Sequence, residues 1–119
     1  MSASPTTIGP DESLERARER MTAAKIRHLP VVEAHRLVGI LSDLDLAGYR
    51  GRLGETRADV AMTPDPVTIG AEDSIESAAR RMLHRRVHAL PVVDGEQLIG
   101  MLSVTDILED YVRASRSRS

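Results

Sequence analysis

"GILSDLD", residues Gly39 to Asp45, returns 61 positions later as "GMLSVTD", Gly100 to Asp106. Each copy follows an apolar run and closes on the same Ser-x-x-Asp spacing. Set against itself at that offset, the chain keeps matching in both directions. "TTIGPDESLERARERM" (Thr6 to Met21) lies on "VTIGAEDSIESAARRM" (Val67 to Met82). Without a gap, "LPVVEAHRLVGILSDLDL" (Leu29 to Leu46) lies on "LPVVDGEQLIGMLSVTDI" (Leu90 to Ile107). An ungapped match of this length marks a duplicated folding unit. The repeat boundary falls at 61/62: residues 1–61 are repeat 1 with its linker, and 62–119 are repeat 2 with a flexible C-terminal tail, "RASRSRS".

Both copies spell the same elements. "TTI" and "VTI" are short extended segments. Helical spacing puts Leu14, Ala17 and Met21 on one face, and Ile75, Ala78, Ala79 and Met82 on the face of the twin. Acidic and Ser residues at each start suit a helix N-terminus. "LPVV" is a β-branched run with Pro at its start, where a missing N–H is tolerated. "EAHR" and "DGEQ" have the length of hairpin turns, Asp94-Gly95 being the stronger signal. "LVGIL" and "LIGML" are return strands, and a second helix begins near Ser42 or Ser103. The order is β-α-β-β-α per repeat, an α/β (α+β) fold. About 60 residues is marginal as an independent fold, so the two copies are expected to share one core with pseudo-twofold symmetry. The linker, Gly48 to Pro66, reads as a loop with a short helix at "ETRADVAM".

Composition narrows the function. The 119 residues hold no Cys, which excludes disulfides, Cys-based zinc sites and a thiol nucleophile. Tyr49 and Tyr111 are the only aromatic residues, so stacking platforms for bases are missing. The net charge of −2 gives no global footprint for nucleic acid. No apolar stretch approaches a membrane span, and the N-terminus lacks the basic and apolar regions of a signal peptide. A soluble cytoplasmic protein is expected. No nucleophile elbow or phosphate-binding loop is present, so an enzyme is not.

The Ser-x-x-Asp pattern has two physical readings. As a cap, the Ser accepts the N3 backbone N–H and the acid at N3 reaches back to the cap. As a ligand grip, the helix start favours phosphate, a Ser hydroxyl adds a hydrogen bond, and a carboxylate accepts from two ribose hydroxyls. Gly39 and Gly100 either leave room for a ligand or permit tight sheet packing.

With "MTPDPVTI", "LPVVD" and the doubled Gly-hydrophobic-x-Ser-x-x-Asp, the chain resembles a tandem pair of cystathionine-β-synthase (CBS) domains, a Bateman module. The resemblance covers essentially the whole chain, so the module reads as stand-alone. It implies regulatory sensing of adenosine-containing ligands in clefts between the repeats: AMP, ADP or ATP, with S-adenosylmethionine or NADH as further options. It also implies a disc-like homodimer, an unidentified regulated protein as partner, and no required cofactor. Carried over residue by residue, Asp45 and Asp106 hold ribose, while Ser42 and Ser103 contact phosphate. Arg27 and His28, just before the first Pro-Val-Val strand, would serve the cleft of Ser103 and Asp106. His88 would serve that of Ser42 and Asp45. Because an Arg–phosphate contact is the stronger kind, and Ala89 stands where repeat 1 has His28, the Asp106 cleft ranks first. Val67, Thr68, Ile69, Pro91 and Met101 are candidates for adenine contacts; each reads equally well as core or strand edge.

Other readings stay open. The module could be a dimerisation device with empty sites. The cluster Arg80, Arg81, Arg85 and Arg86 could be a solvated helix face, a phosphate contact or a nucleic-acid patch. His84 and His88 sit four apart, but the strand pattern "VHALPVV" predicts that the helix has ended by Val87, which leaves no metal pair.

Overall fold

The computed structural model describes residues 2–117. In chain order the elements of repeat 1 are β1 (Ser2–Ala3), α1 (Leu14–Ala24), β2 (His28–Glu33), β3 (Arg36–Ser42) and α2 (Asp43–Ala47). A 3₁₀ turn (Leu53–Glu55) and α3 (Ala58–Ala61) form the linker. Then come β4 (Thr63–Pro64), β5 (Ile69–Gly70), α4 (Ile75–Arg85), β6 (Ala89–Asp94), β7 (Gln97–Ser103) and α5 (Val104–Ser117). From the first helix onward the α-β-β-α order of the sequence is present twice. Ahead of it, the expected strand "VTI" is β5, whereas "TTI" makes only an isolated bridge from Ile8 to Val31, and the strands β1 and β4 are additional.

Two compact units emerge, and they are not simply the two halves of the chain. One holds residues 6–66 with 96–98; the other holds 67–95 and 99–117 with 2–5. The leading strands explain the exchange of residues 2–5 and 63–66, while residues 96–98 join the 6–66 unit through Gln97 opposite Arg36. Ser2 and Ala3 lie antiparallel on Met101 and Gly100 of β7. Their equivalents one repeat later, Thr63 and Pro64, lie on Ile40 and Gly39 of β3. Each two-residue strand thus completes the return strand of the other copy.

In the 6–66 unit, Ser13 caps α1, its Oγ accepting the Arg16 N–H at 3.2 Å. Leu14, Ala17 and Met21 are buried along one stripe, as their spacing predicts. The helix stops at Lys25, whose left-handed backbone (φ 58°) lets its N–H reach the Met21 and Thr22 carbonyls. β2 and β3 form a hairpin, from Leu29↔Leu41 to Glu33↔Arg36, that buries Leu29, Val31 and Leu41. Its turn residues Ala34 and His35 both have positive φ, 50° and 68°. The linker folds back over the start of α1. Thr56 O accepts the Leu14 N–H at 2.9 Å, and the Ala58 and Asp59 N–H groups reach the Glu12 and Pro10 carbonyls at 2.7 and 3.0 Å.

In the other unit, α4 is capped by Ser74 and buries Ala78 and Met82. β5 runs parallel to β6, Ile69 opposite Val92, and Leu90, Val92 and Leu102 complete the core. Three features differ from the sequence reading. Each unit has a buried core cluster of its own, where one core shared by the copies was expected. Ile75 is not on a buried face; it is 40% exposed where its counterpart Leu14 is fully buried. The C-terminal stretch also differs: where repeat 1 turns back after α2, α5 continues to Ser117. "RASRS" is therefore the end of a helix, consistent with the good helix propensity of Ala and Arg. Arg118 and Ser119 lie outside the described residues. Among the described residues no helix is long and apolar enough to cross a membrane.

Candidate ligand-binding site

Both Ser-x-x-Asp motifs begin helices, and both close a reciprocal capping box. At the first, Ser42 N–H donates to Asp45 Oδ2 at 2.7 Å and Asp45 N–H to Ser42 Oγ at 3.2 Å. At the second, Ser103 N–H donates to Asp106 Oδ2 at 2.8 Å and Asp106 N–H to Ser103 Oγ at 3.2 Å. The structural reading of the motif is thus realised in both copies. It does not rule out the ligand reading. All four residues are only half-buried, and a carboxylate offers about four acceptor positions, of which the cap takes one.

The hairpins bring the residues before each "LPVV" strand to the same end of their own unit. Arg27 O accepts the Asp43 N–H at 3.0 Å, and His28 lies opposite Ser42 in the ladder. In the second copy His88 O accepts the Val104 N–H at 2.9 Å. The side chains of Arg27 and His88 are exposed, while His28 is half-buried. One unit therefore holds Ser42, Asp45, Arg27 and His28. The other holds Ser103, Asp106, His88, Val67, Thr68, Ile69, Pro91 and Met101.

Burial separates the adenine candidates. Val67, Thr68 and Met101 are half-buried and retain accessible surface. Ile69 and Pro91 are packed into the core, so their side chains are committed to folding. Gly39 also has a packing role. A Cβ there would fall onto Met62 Sδ and within 3.0 Å of the Thr63 carbonyl oxygen. Its bare backbone is what lets β4 lie on β3.

Sequence inspection missed one ion pair. Arg20 forks onto Glu12 (2.7 and 3.0 Å) and also donates to the Thr7 carbonyl at 2.9 Å. The Arg20 hydrogen bonds, with the Gly9 N–H adding to them, hold the Glu12 carboxyl below its ordinary value against the opposing effect of burial. The available signal was positional: Glu12 stands just before α1 and Arg20 lies within it, eight residues on. His84 lies in the last turn of α4, while His88 lies beyond the cap at Arg86. They share no helix face, and no cluster of three ligating side chains occurs among the described residues.

The family model described as "CBS domain" matches residues 1–52 and 58–113. The chain is 29% identical over 110 residues to the CBS domain-containing protein YhcV of Bacillus subtilis (strain 168), covering 90% of this chain and 79% of that one. It is 34% identical over 102 residues to an inosine-5'-monophosphate dehydrogenase of Korarchaeum cryptofilum (strain OPF8), covering 85% of this chain but 21% of the relative. The chain thus spans about a fifth of that enzyme's length. Among solved structures, CBSX2 in complex with AMP superposes with a TM-score of 0.88 at 28% identity, covering 97% of this chain and 94% of that one. With its helices, its strands and two family-model matches accounted for, this chain belongs to the CBS domain family as a tandem pair of repeats.

Proposed function

We propose that the protein is a regulatory module that binds an adenosine nucleotide (AMP, ADP or ATP) between its two repeats and passes occupancy to a partner protein. The observation that carries this reading is the doubled Gly-hydrophobic-x-Ser-x-x-Asp, held at two helix starts with half-buried carboxylates. A neighbour of the same fold, CBSX2, was solved with AMP. Asp106 and Asp45 would accept from the ribose hydroxyls, and Ser103 and Ser42 would donate to phosphate beside N–H groups that favour anions. Arg27 and His28 would complete the Asp106 cleft, and His88 the Asp45 cleft. The ligand acts by binding one arrangement of the module better than another.

A thermal-shift panel of AMP, ADP, ATP, S-adenosylmethionine and NADH tests the reading. A ligand at 100 times its dissociation constant adds about 2.7 kcal/mol of stability. No shift with any of the five at millimolar concentration rejects it and leaves a dimerisation module with empty sites.

A homodimer is the proposed assembly. Leu83, Leu108, Tyr111 and Val112 are 80, 58, 70 and 49% exposed. At the positions of the last three, repeat 1 has Ala47, Arg50 and Gly51. Apolar exposure on α4 and α5 fits burial against a second copy. Light scattering on Tyr111→Glu is expected to show a monomer where the parent chain is a dimer; a monomeric parent rejects the assembly.

A further inference from the structure

The two repeats carry the same helix with different surface chemistry. α1 has Arg16, Glu19, Arg20, Ala23 and Ala24 where α4 has Ser77, Arg80, Arg81, His84 and Arg85. Both helices run eleven residues from a Ser cap to a left-handed stop. The fold therefore does not require Arg80, His84 or Arg85, since repeat 1 builds the same element with Glu19, Ala23 and Ala24 in their places.

The one arginine that both share is used differently. Arg20 donates to the Thr7 carbonyl and is also neutralised by the fork onto Glu12. Arg81 donates to the matching Thr68 carbonyl at 2.6 Å. The residue matching Glu12 is Asp73, one methylene shorter. Asp73 reaches only the Gly70 N–H, at 2.8 Å; among the described residues it forms no ion pair with Arg81. Arg80 has Glu76 at 3.8 Å, both side chains being nearly four-fifths exposed, a contact that is weak in water. Arg80, Arg81, His84 and Arg85 then share an open groove of about 720 Å³ with Thr68 and Ser77. Among the described residues no carboxylate lines it.

We propose that this groove is an anion site for a condensed phosphate, the di- or triphosphate portion of a small molecule. Guanidinium groups match phosphate oxygens in bidentate fashion, and three of them on one helix face suit more than one phosphoryl group. The Ser77 hydroxyl supplies a further donor. With Arg81 left unneutralised, the groove keeps its positive potential for a ligand. A nucleic-acid strand is the less suitable occupant, because the chain carries net negative charge and no aromatic residue lines the groove to stack a base.

The test is calorimetric titration of the whole chain with sodium tripolyphosphate alone, without any adenosine compound, and the α4-side variants below, which leave Arg27, His28, Ser42 and Ser103 in place, separate this groove from the clefts. Binding is expected in low salt, weakening as salt screens the exposed charges. Asp73→Glu rebuilds the fork of repeat 1 and is expected to weaken binding at least fivefold without removing any cation. Arg85→Ala, whose guanidinium caps nothing, gives a similar loss, and circular dichroism confirms that both variants fold. Absence of binding, or binding untouched by both substitutions, overturns the proposal. So does a single-stranded oligonucleotide that binds where tripolyphosphate does not.

Discussion

Leu14 and Ile75 occupy the same position of the same helix, yet one is sealed and the other is 40% exposed. Nothing in the two helices accounts for this. The difference lies in the segment after the second helix of each repeat. α2 stops after Ala47 at Gly48, freeing the chain to turn back and lay Thr56 and Ala58 over the start of α1. α5 has Glu109 and Val112 where repeat 1 has Gly48 and Gly51, and it runs on for fourteen residues. A duplicated unit thus becomes asymmetric through its connector: one copy is covered by its own chain, and the other presents apolar and basic surface.

Substitution at this pair has the largest expected effect. Leu14→Ala should cost about 3 kcal/mol in urea unfolding, a core truncation with its cavity. Ile75→Ala should cost less than about 1 kcal/mol, since much of its side chain already meets water. Equal losses would show that the two positions are packed alike. The capping boxes should behave alike despite helices of different length. Ser42→Ala and Ser103→Ala are each expected to cost about 1 kcal/mol, and a difference well beyond that would mean that one Ser does more than cap.

The Glu12–Arg20 fork distinguishes the repeats through pH. A carboxyl lowered in the folded state adds stability above its unfolded pKa and loses it as pH falls through the folded value. Glu12→Gln should therefore cost about 0.5–1 kcal/mol near pH 7, the pair being about one-third exposed. That cost should shrink towards zero as pH drops below about 4. A cost independent of pH would assign the effect to packing. The smallest change is expected at the hairpin turn. Ala34 and His35 occupy left-handed backbone that repeat 2 enters with Gly95. Ala34→Gly should stabilise by about 0.5 kcal/mol, the steric relief exceeding the added chain entropy.

Most of the architecture was legible because it is local. The stripe Leu14, Ala17, Met21, the LPVV strands and the Ser-x-x-Asp helix starts each announce themselves within a few residues. The exchanged strands β1 and β4 do not. Two residues carry no period, and their pairing depends on partners that sequence places in the other repeat. The exposure of Ile75 was likewise hidden, since helical spacing assigns it the environment of Leu14. "RASRSRS" reads as a tail by composition, but the helical frame begun at Val104 carries through Ser117. At the site, the motif residues were named from the sequence, whereas the cap bonds that engage them and the core burial of Ile69 and Pro91 required the fold.

If the two Ser-x-x-Asp motifs grip an adenosine ligand, they should do so unequally. The decisive experiment is titration of AMP into the parent chain, Asp106→Ala and Asp45→Ala, each of which removes a cap bond of the same kind. Saturable binding is expected, weakened at least tenfold by Asp106→Ala and less by Asp45→Ala. Equal effects, the reverse order, or no binding of AMP at millimolar concentration would contradict it.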